Sequence, residues 1–214
     1  MAAMKIEALA HSDLAYLKEF EPPNWGDLVP RFKYHIESAF CVPVKMTIAD
    51  KTVAIGTVIF HKDSAWLASI IVHPAHRNNG YGKAITRQLI SMIDTRKFTT
   101  IYLDATDMGY PVYLKLGFEL ESTYAHLKSE VNITGLQLSS SVIPYEKRYF
   151  KQILQLDKNI SCEDRQDTII ENVQTAQIYI NNNKVEGFYL PSLGNGLIIA
   201  EKDIAGIELI KCRL

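Results

Sequence analysis

The spacing of apolar positions divides the chain into a strand meander, a loop–helix unit and a second, smaller run through the same order. Lys5 to Leu9 alternates weakly and predicts a short first strand. Ser12-Asp13 predicts a capped helix from about Asp13 to Phe20. Pro22-Pro23-Asn24-Trp25-Gly26 reads as a loop. Leu28, Phe32, Ile36 and Phe40 recur at helical spacing, so a second helix is expected from Asp27 to Phe40, with Pro30 tolerated in its first turn. Val42 to Ala49 and Thr52 to His61 read as strands joined at Asp50-Lys51, and Trp66 to Val72 as the next strand. His73-Pro74 stops that strand, since proline cannot continue a ladder. A polar loop, Arg77 to Gly82, precedes a helix marked by Ile85, Leu89 and Ile93 and expected to end near Arg96. Thr99 to Leu103 predicts a buried strand, Pro111 to Leu116 a short helix ended by Gly117, and Phe118 to Lys128 another strand.

The texture changes after Ser129. Residues 130–141 are polar and serine-rich and read as a linker. Helices are predicted over Tyr145 to Leu156 and Glu163 to Val173, and strands over Thr175 to Ile180, Val185 to Leu190 and Gly196 to Ala200. Asp203 is placed to cap a final helix that has barely begun at Leu214.

Composition narrows the function classes. Of 214 residues, 47% are hydrophobic, enough for one large core or two smaller ones, and the formal net charge is −1. Basic residues are scattered, which argues against a nucleic-acid partner. No apolar run is long enough for a membrane span, so no membrane partner is expected. Cys41, Cys162 and Cys212 are odd in number and far apart, unlike a disulfide framework or metal site. Reduced thiols in a cytoplasmic protein are the simplest account. His73 and His76 have H-x-x-H spacing, but Pro74 breaks the helix such a site needs, so no metal is expected and both read as exposed loop histidines.

The loop between Val72 and Ile85 has a physical use. The first turn of a helix leaves N–H groups without intrahelical partners, and Gly80 and Gly82 let a ligand approach them closely. With Arg77 and the helix dipole, they suit a phosphate or pyrophosphate. On glycine spacing alone, a two-glycine turn before a helix is more often only a turn. Val72, Pro74, Arg77, Gly80 and Gly82, followed by Tyr113, Gly117 and Phe118, form V-x-P-x-x-R-x-x-G-x-G and then Y-x-x-x-G-F. That combination resembles the GNAT superfamily of acetyl-CoA-dependent N-acetyltransferases, over residues 4–129.

The resemblance implies an α/β (α+β) fold: a mixed, mostly antiparallel central sheet flanked by helices, the acyl-CoA N-acyltransferase fold. It implies acetyl-CoA as co-substrate and a small-molecule or peptide amine as acceptor. By position, the backbone of Ile70, Ile71 and Val72 would hold pantetheine, and Arg77, Asn78, Asn79, Gly80, Tyr81, Gly82 and Lys83 the pyrophosphate. Tyr113 matches the family's general acid; on its residues alone it could be a core tyrosine. Some members carry a basic Glu on the strand before the glycine loop, where this chain has Ser69. Asp104, at the end of the next strand, is the candidate for base or water relay, with a structural role equally open. Trp25 falls where members often build the acceptor pocket, or lids the core. A coenzyme-binding module without turnover is the alternative to an enzyme.

Residues 142–214 repeat the order of helices, three strands and a helix start. With DATDMGYPVYLKLGF, Asp157, Asp164-Arg165 and Gly187-Phe188, the chain resembles a bacterial GNAT subgroup whose acetyltransferase domain is followed by a GNAT-like half. Ala200-Glu201-Lys202-Asp203 stands where a coenzyme loop would be, so no second coenzyme is expected there. The missing final strands leave two readings open: a truncated chain, or a sheet completed by a partner, a homodimer through the C-terminal part being one form.

Overall fold

The alternating positions of the first half close into a five-stranded sheet in the order β1-β2-β3-β4-β5. The structure is a computed structural model that describes residues 4–23, 25–124 and 135–214. Strands β1 (Met4–Ala8), β2 (Cys41–Ile48), β3 (Lys51–Phe60) and β4 (Ser64–Val72) pair antiparallel, and β5 (Thr100–Leu103) pairs parallel to β4. The β2–β3 turn falls at Ala49-Asp50, both at positive φ (47° and 61°), one residue before the predicted place. The two backbones supply the twist of a tight hairpin without a glycine.

Each face of this sheet has its own core. The helix α1 (Leu28–Glu37) and a 3₁₀ helix (His11–Phe20) put Leu17, Phe20, Leu28 and Phe32 against Ile55 and Ile71. The helix α2 (Tyr81–Ser91) puts Ile85 and Leu89 over Val44, Met46, Ala54, Val58, Ala65 and Leu67 on the other face. Asp27 caps α1 by accepting the Val29 N–H at 2.8 Å. Asp13 does not begin its helix. It lies inside the first turn, where its carboxylate accepts the Ala10 N–H (2.8 Å) and pairs with Lys45 (2.7 Å).

Several elements are shorter or more open than their patterns suggest. The helix α1 stops before Ser38, and Phe40 instead accepts the Phe60 N–H. The helix α2 ends at Ser91, and the Asp94 carboxylate turns the chain by accepting the Arg96 N–H (3.1 Å), so no helix reaches Arg96. Strand β5 is half-exposed rather than buried. After the short helix α3 (Tyr110–Leu114), Gly117 at φ +93° returns its N–H to Leu114. No strand forms over the described part of Phe118 to Lys128; residues 125–128 lie outside the described residues.

The chain divides into two units, Met1–Ser122 and Thr123–Leu214. Of the expected linker, residues 130–134 lie outside the described residues and 135–139 carry no regular element. The second unit has a four-stranded antiparallel sheet, β6 (Val142–Pro144), β7 (Gln177–Asn181), β8 (Lys184–Leu190) and β9 (Leu197–Ala200), in that order. Sequence reasoning missed β6, a three-residue strand too short to show a period. The helices α4 (Phe150–Ser161) and α5 (Gln166–Asn172) pack Ile153, Leu156 and Ile169 against Ile178, Phe188 and Leu190. A fork of Arg165 onto buried Asp157 ties α5 to α4. The helix α6 (Asp203–Lys211) runs nine residues and packs Ala205 and Leu209 on Tyr179 and Tyr189. Asp203 is its first residue and makes no capping bond.

Each unit contains a glycine–leucine contact of the same kind. On β3, a Cβ at Gly56 would lie 2.9 Å from Leu89 Cδ1 of α2; on β8, one at Gly187 would lie 2.8 Å from Leu209 Cδ1 of α6. In each, a glycine lets the crossing helix seat a leucine on the strand.

His35 carries a pH signature of the first core. It is 5% exposed and shares a 3.0 Å hydrogen bond between Nδ1 and Thr57 Oγ1 on β3. Burial, and then the Arg31 charge, lower its pKa from 6.5 to about 4. Between those values the unfolded chain takes a proton that the native state refuses. Stability is therefore full above 6.5 and falls by about 3 kcal/mol as pH drops towards 4. Denaturant melts across this range should show that acid loss, and His35→Gln should flatten it; an unchanged slope in the variant would assign the loss elsewhere.

Candidate active site

Strand β4 is the backbone of the site because it changes partners along its length. Its pairing to β5 runs from Ser64–Thr100 to Leu67–Leu103 and stops, so among the described residues β4 continues alone on that side to Val72. Its pairing to β3 is interrupted at the same level. Thr57 faces Ala68 and Ile55 faces Ile71, so Gly56 stands opposite two residues, Ser69 and Ile70. Ser69 takes φ +52° to form this bulge.

The bulge sets which groups face the open edge. The His73 N–H bonds to Val53 O, so by the period of two Ile71 turns its amide to β3 while Val72 turns outward. Ser69 and Ile70 both face Gly56, so neither has a one-to-one partner in the β3 register. Side chains shift accordingly: Ala65 and Leu67 lie on the α2 face, and so do Ile70 and Val72, whereas Ile71 enters the opposite core. Of the three residues read as a backbone surface, Ile70 and Val72 present the open edge and Ile71 does not.

The loop after β4 is held by its own polar groups. His73 Nδ1 accepts the Ala75 N–H (3.2 Å), Arg77 Nε donates to Val72 O at a long 3.4 Å, and Asn79 Nδ2 donates to the carbonyls of His76 and Arg77. Asn78 and Gly80 take φ +62° and +80°, which reverse the chain into α2. Gly80 caps α2 without a side chain, and the first intrahelical bond joins the Ala84 N–H to Gly80 O. The N–H groups of Tyr81, Gly82 and Lys83 thus open α2 without a capping side chain, the arrangement that attracts an anion.

Gly80 and Gly82 differ in kind. Gly80 is required by its backbone. Gly82 has no positive φ, and a Cβ there would meet only Val72 Cγ2 at an ordinary 3.6 Å. The fold has room for alanine at Gly82, and alanine would favour the helix by up to about 1 kcal/mol.

Tyr113 lies on α3, its ring against the Gly109 backbone and 6.1 Å from Phe118, whose N–H returns to Tyr113 O at 3.2 Å. Burial pushes its phenol above the ordinary value. Asp104 follows the last residue of β5, at the mouth of the fork, and is exposed. Trp25 packs beside the α1 core, with the Arg31 guanidinium 5.6 Å over its ring. His73 is not the exposed loop residue its position suggested. Its side chain is 20% exposed, its ring lies 5.2 Å from Phe20, and Nε2 approaches Glu19 at 3.6 Å. Among the described residues no three metal-ligating side chains cluster. The residue that sequence reasoning missed is Ser69 as the bulge; the step from Leu67 to Ile70, three residues where two were due, was its signal.

The sequence profile of the acetyltransferase (GNAT) family matches residues 7–118. A candidate acetyltransferase from Pyrococcus horikoshii superposes with a TM-score of 0.69 at 20% identity, over 98% of this chain and 75% of that one. A transcriptional regulator from Bacillus halodurans C-125 superposes at 0.50 with 17% identity, over 58% of this chain and all of the other. At these identities the likeness is one of fold. No curated protein matches the chain by sequence.

Gly109 controls the tyrosine. A Cβ there would lie 2.8 Å from Tyr113 Cε2 and 3.4 Å from its hydroxyl. In Gly109→Ala the ring should turn out of its slot, and titration of labelled tyrosines by NMR should show one phenol falling back towards about 10. An unmoved resonance would mean that Gly109 does not hold the ring.

Proposed function

Because the chain belongs to the acetyltransferase (GNAT) family, we propose that its first unit transfers an acetyl group from acetyl-CoA to a primary amine, by direct attack with both substrates bound. One observation carries this reading: the uncapped amides at the start of α2 are continuous with the open edge of β4. A pyrophosphate at Tyr81, Gly82 and Lys83, with Arg77 and Asn78-Asn79-Gly80 shaping the loop, leaves the pantetheine arm to run back along Val72 and Ile70. From Val72 to Ala68 that edge spans about 13 Å. Its thioester end then lies by the bulge, where Ser69 and Ile70 have no one-to-one partner on β3 and their peptides can supply an oxyanion donor worth about 3–4 kcal/mol.

The transfer requires four events. The amine loses a proton, because an ammonium with a pKa of about 10.4 is neutral only about once in 10³ molecules at pH 7. Asp104 at the mouth of the fork takes this proton, directly or through water. The nitrogen adds to the thioester carbonyl, and the resulting oxyanion rests on the bulge amides. The C–S bond then breaks as the thiolate takes a proton from Tyr113, and the nitrogen sheds its second proton through water to restore the phenol. An ordinary phenol, with a pKa of about 10, is already protonated at neutral pH, and burial raises that of Tyr113 further, so it can donate. Trp25 contributes to the acceptor side.

Calorimetry with acetyl-CoA on the wild type and Gly82→Leu tests the coenzyme site. Binding should be tight in the first and lost in the second, with both melting alike. A wild type that binds no acetyl-CoA would end the proposal. On an amine found by screening, Tyr113→Phe should lower kcat about 10²–10⁴-fold with little change in the KM for acetyl-CoA. Unchanged turnover would remove Tyr113 as the acid.

A further inference from the structure

The helix α6 is apolar on two sides. Ala205 and Leu209 face the second sheet, while Ile204, Ile207 and Ile210 are 51%, 55% and 47% exposed, with Leu214 just beyond at 57%. The steps of three place Ile204, Ile207 and Ile210 in one row along the helix, with Leu214 following after its end. Leu136 and Leu138, 39% and 48% exposed, precede Ser139, whose N–H donates to Glu208 Oε2 (3.1 Å) and so anchors that segment to the same helix. Isolated exposed aliphatic side chains need no explanation; a row of them does.

The charges at the ends of the row select its occupant. Lys202 is paired with Glu186, Lys184 with Glu201, and Lys211 with Glu208. Asp203 in the first turn and Arg213 after the last have no ion pair among the described residues. They bracket the row, one acidic and one basic, symmetrically about residue 208. A second α6 laid antiparallel brings each Asp203 to the partner copy's Arg213, while the aliphatic rows meet between them. The helix dipoles oppose as well.

We propose that α6 is a self-association face through which two copies of this chain form an antiparallel, two-fold helix pair. The interface is isologous, each copy giving the same row and the same two charges. It does not use the unpaired edge of β9 and requires nothing of the first unit. Its size is at the small end of specific interfaces, so dissociation in about the micromolar range or weaker is expected.

Sedimentation of the full chain over a series reaching millimolar concentration should show a monomer–dimer equilibrium. Ile207→Glu and Ile210→Glu, both at exposed positions, should abolish it without lowering the melting temperature. Asp203→Arg and Arg213→Asp should each weaken the dimer several-fold, and the two together in one chain should restore it. A wild type that stays monomeric throughout overturns the proposal, as does a dimer that survives both isoleucine substitutions. A double reversal no better than the single ones overturns the antiparallel pairing.

Discussion

The seat of Leu89 on Gly56 is the contact on which the first unit depends. A Cβ at Gly56 would lie 2.9 Å from Leu89 Cδ1 and 3.7 Å from the Ile70 Cα, so the leucine that seats α2 on β3 would have to move. Gly56 is also the single residue opposite the two-residue bulge of β4, so the same position fixes both the height of the helix and the break in the strand. The fork between β4 and β5 opens beside that break, where the pairing ends at Leu67–Leu103, and the uncapped amides of α2 begin at Gly80.

In the proposed reading, recognition falls to the backbone and few jobs are left to side chains. Dipoles of fixed peptide groups face the open edge without the reorganisation that water would require. The phenol of Tyr113 is raised above its ordinary value by burial. Arg77 reaches back from the loop to Val72 O through a long 3.4 Å contact.

Much of this was legible in the sequence because it rests on local rules. Periods of two and of three to four marked the meander and α2, and the glycines and Tyr113 marked the loop and the short helix after it. What escaped depends on contacts between distant segments. The bulge at Ser69 shows in the sequence only as the step from Leu67 to Ile70, and its partner across the sheet, Gly56, lies thirteen positions earlier. The end of α2 was set by the Asp94 turn where the apolar spacing still ran on through Ile93. His73 read as exposed because its partners, Phe20 and Glu19, lie more than fifty positions earlier. The half-exposed β5 looked buried because three consecutive apolar residues, Ile101 to Leu103, cannot by themselves report whether a neighbour covers them.

The second unit keeps the glycine–leucine seat, at Gly187 and Leu209, without the loop that would give it a ligand. It therefore serves as an internal reference state. Whatever the two units have in common belongs to the architecture of sheet and crossing helix, and what only the first possesses belongs to chemistry. By that subtraction Gly56 is scaffold, although it adjoins the site, and Gly82, which the fold does not need, is the residue whose smallness has no structural beneficiary.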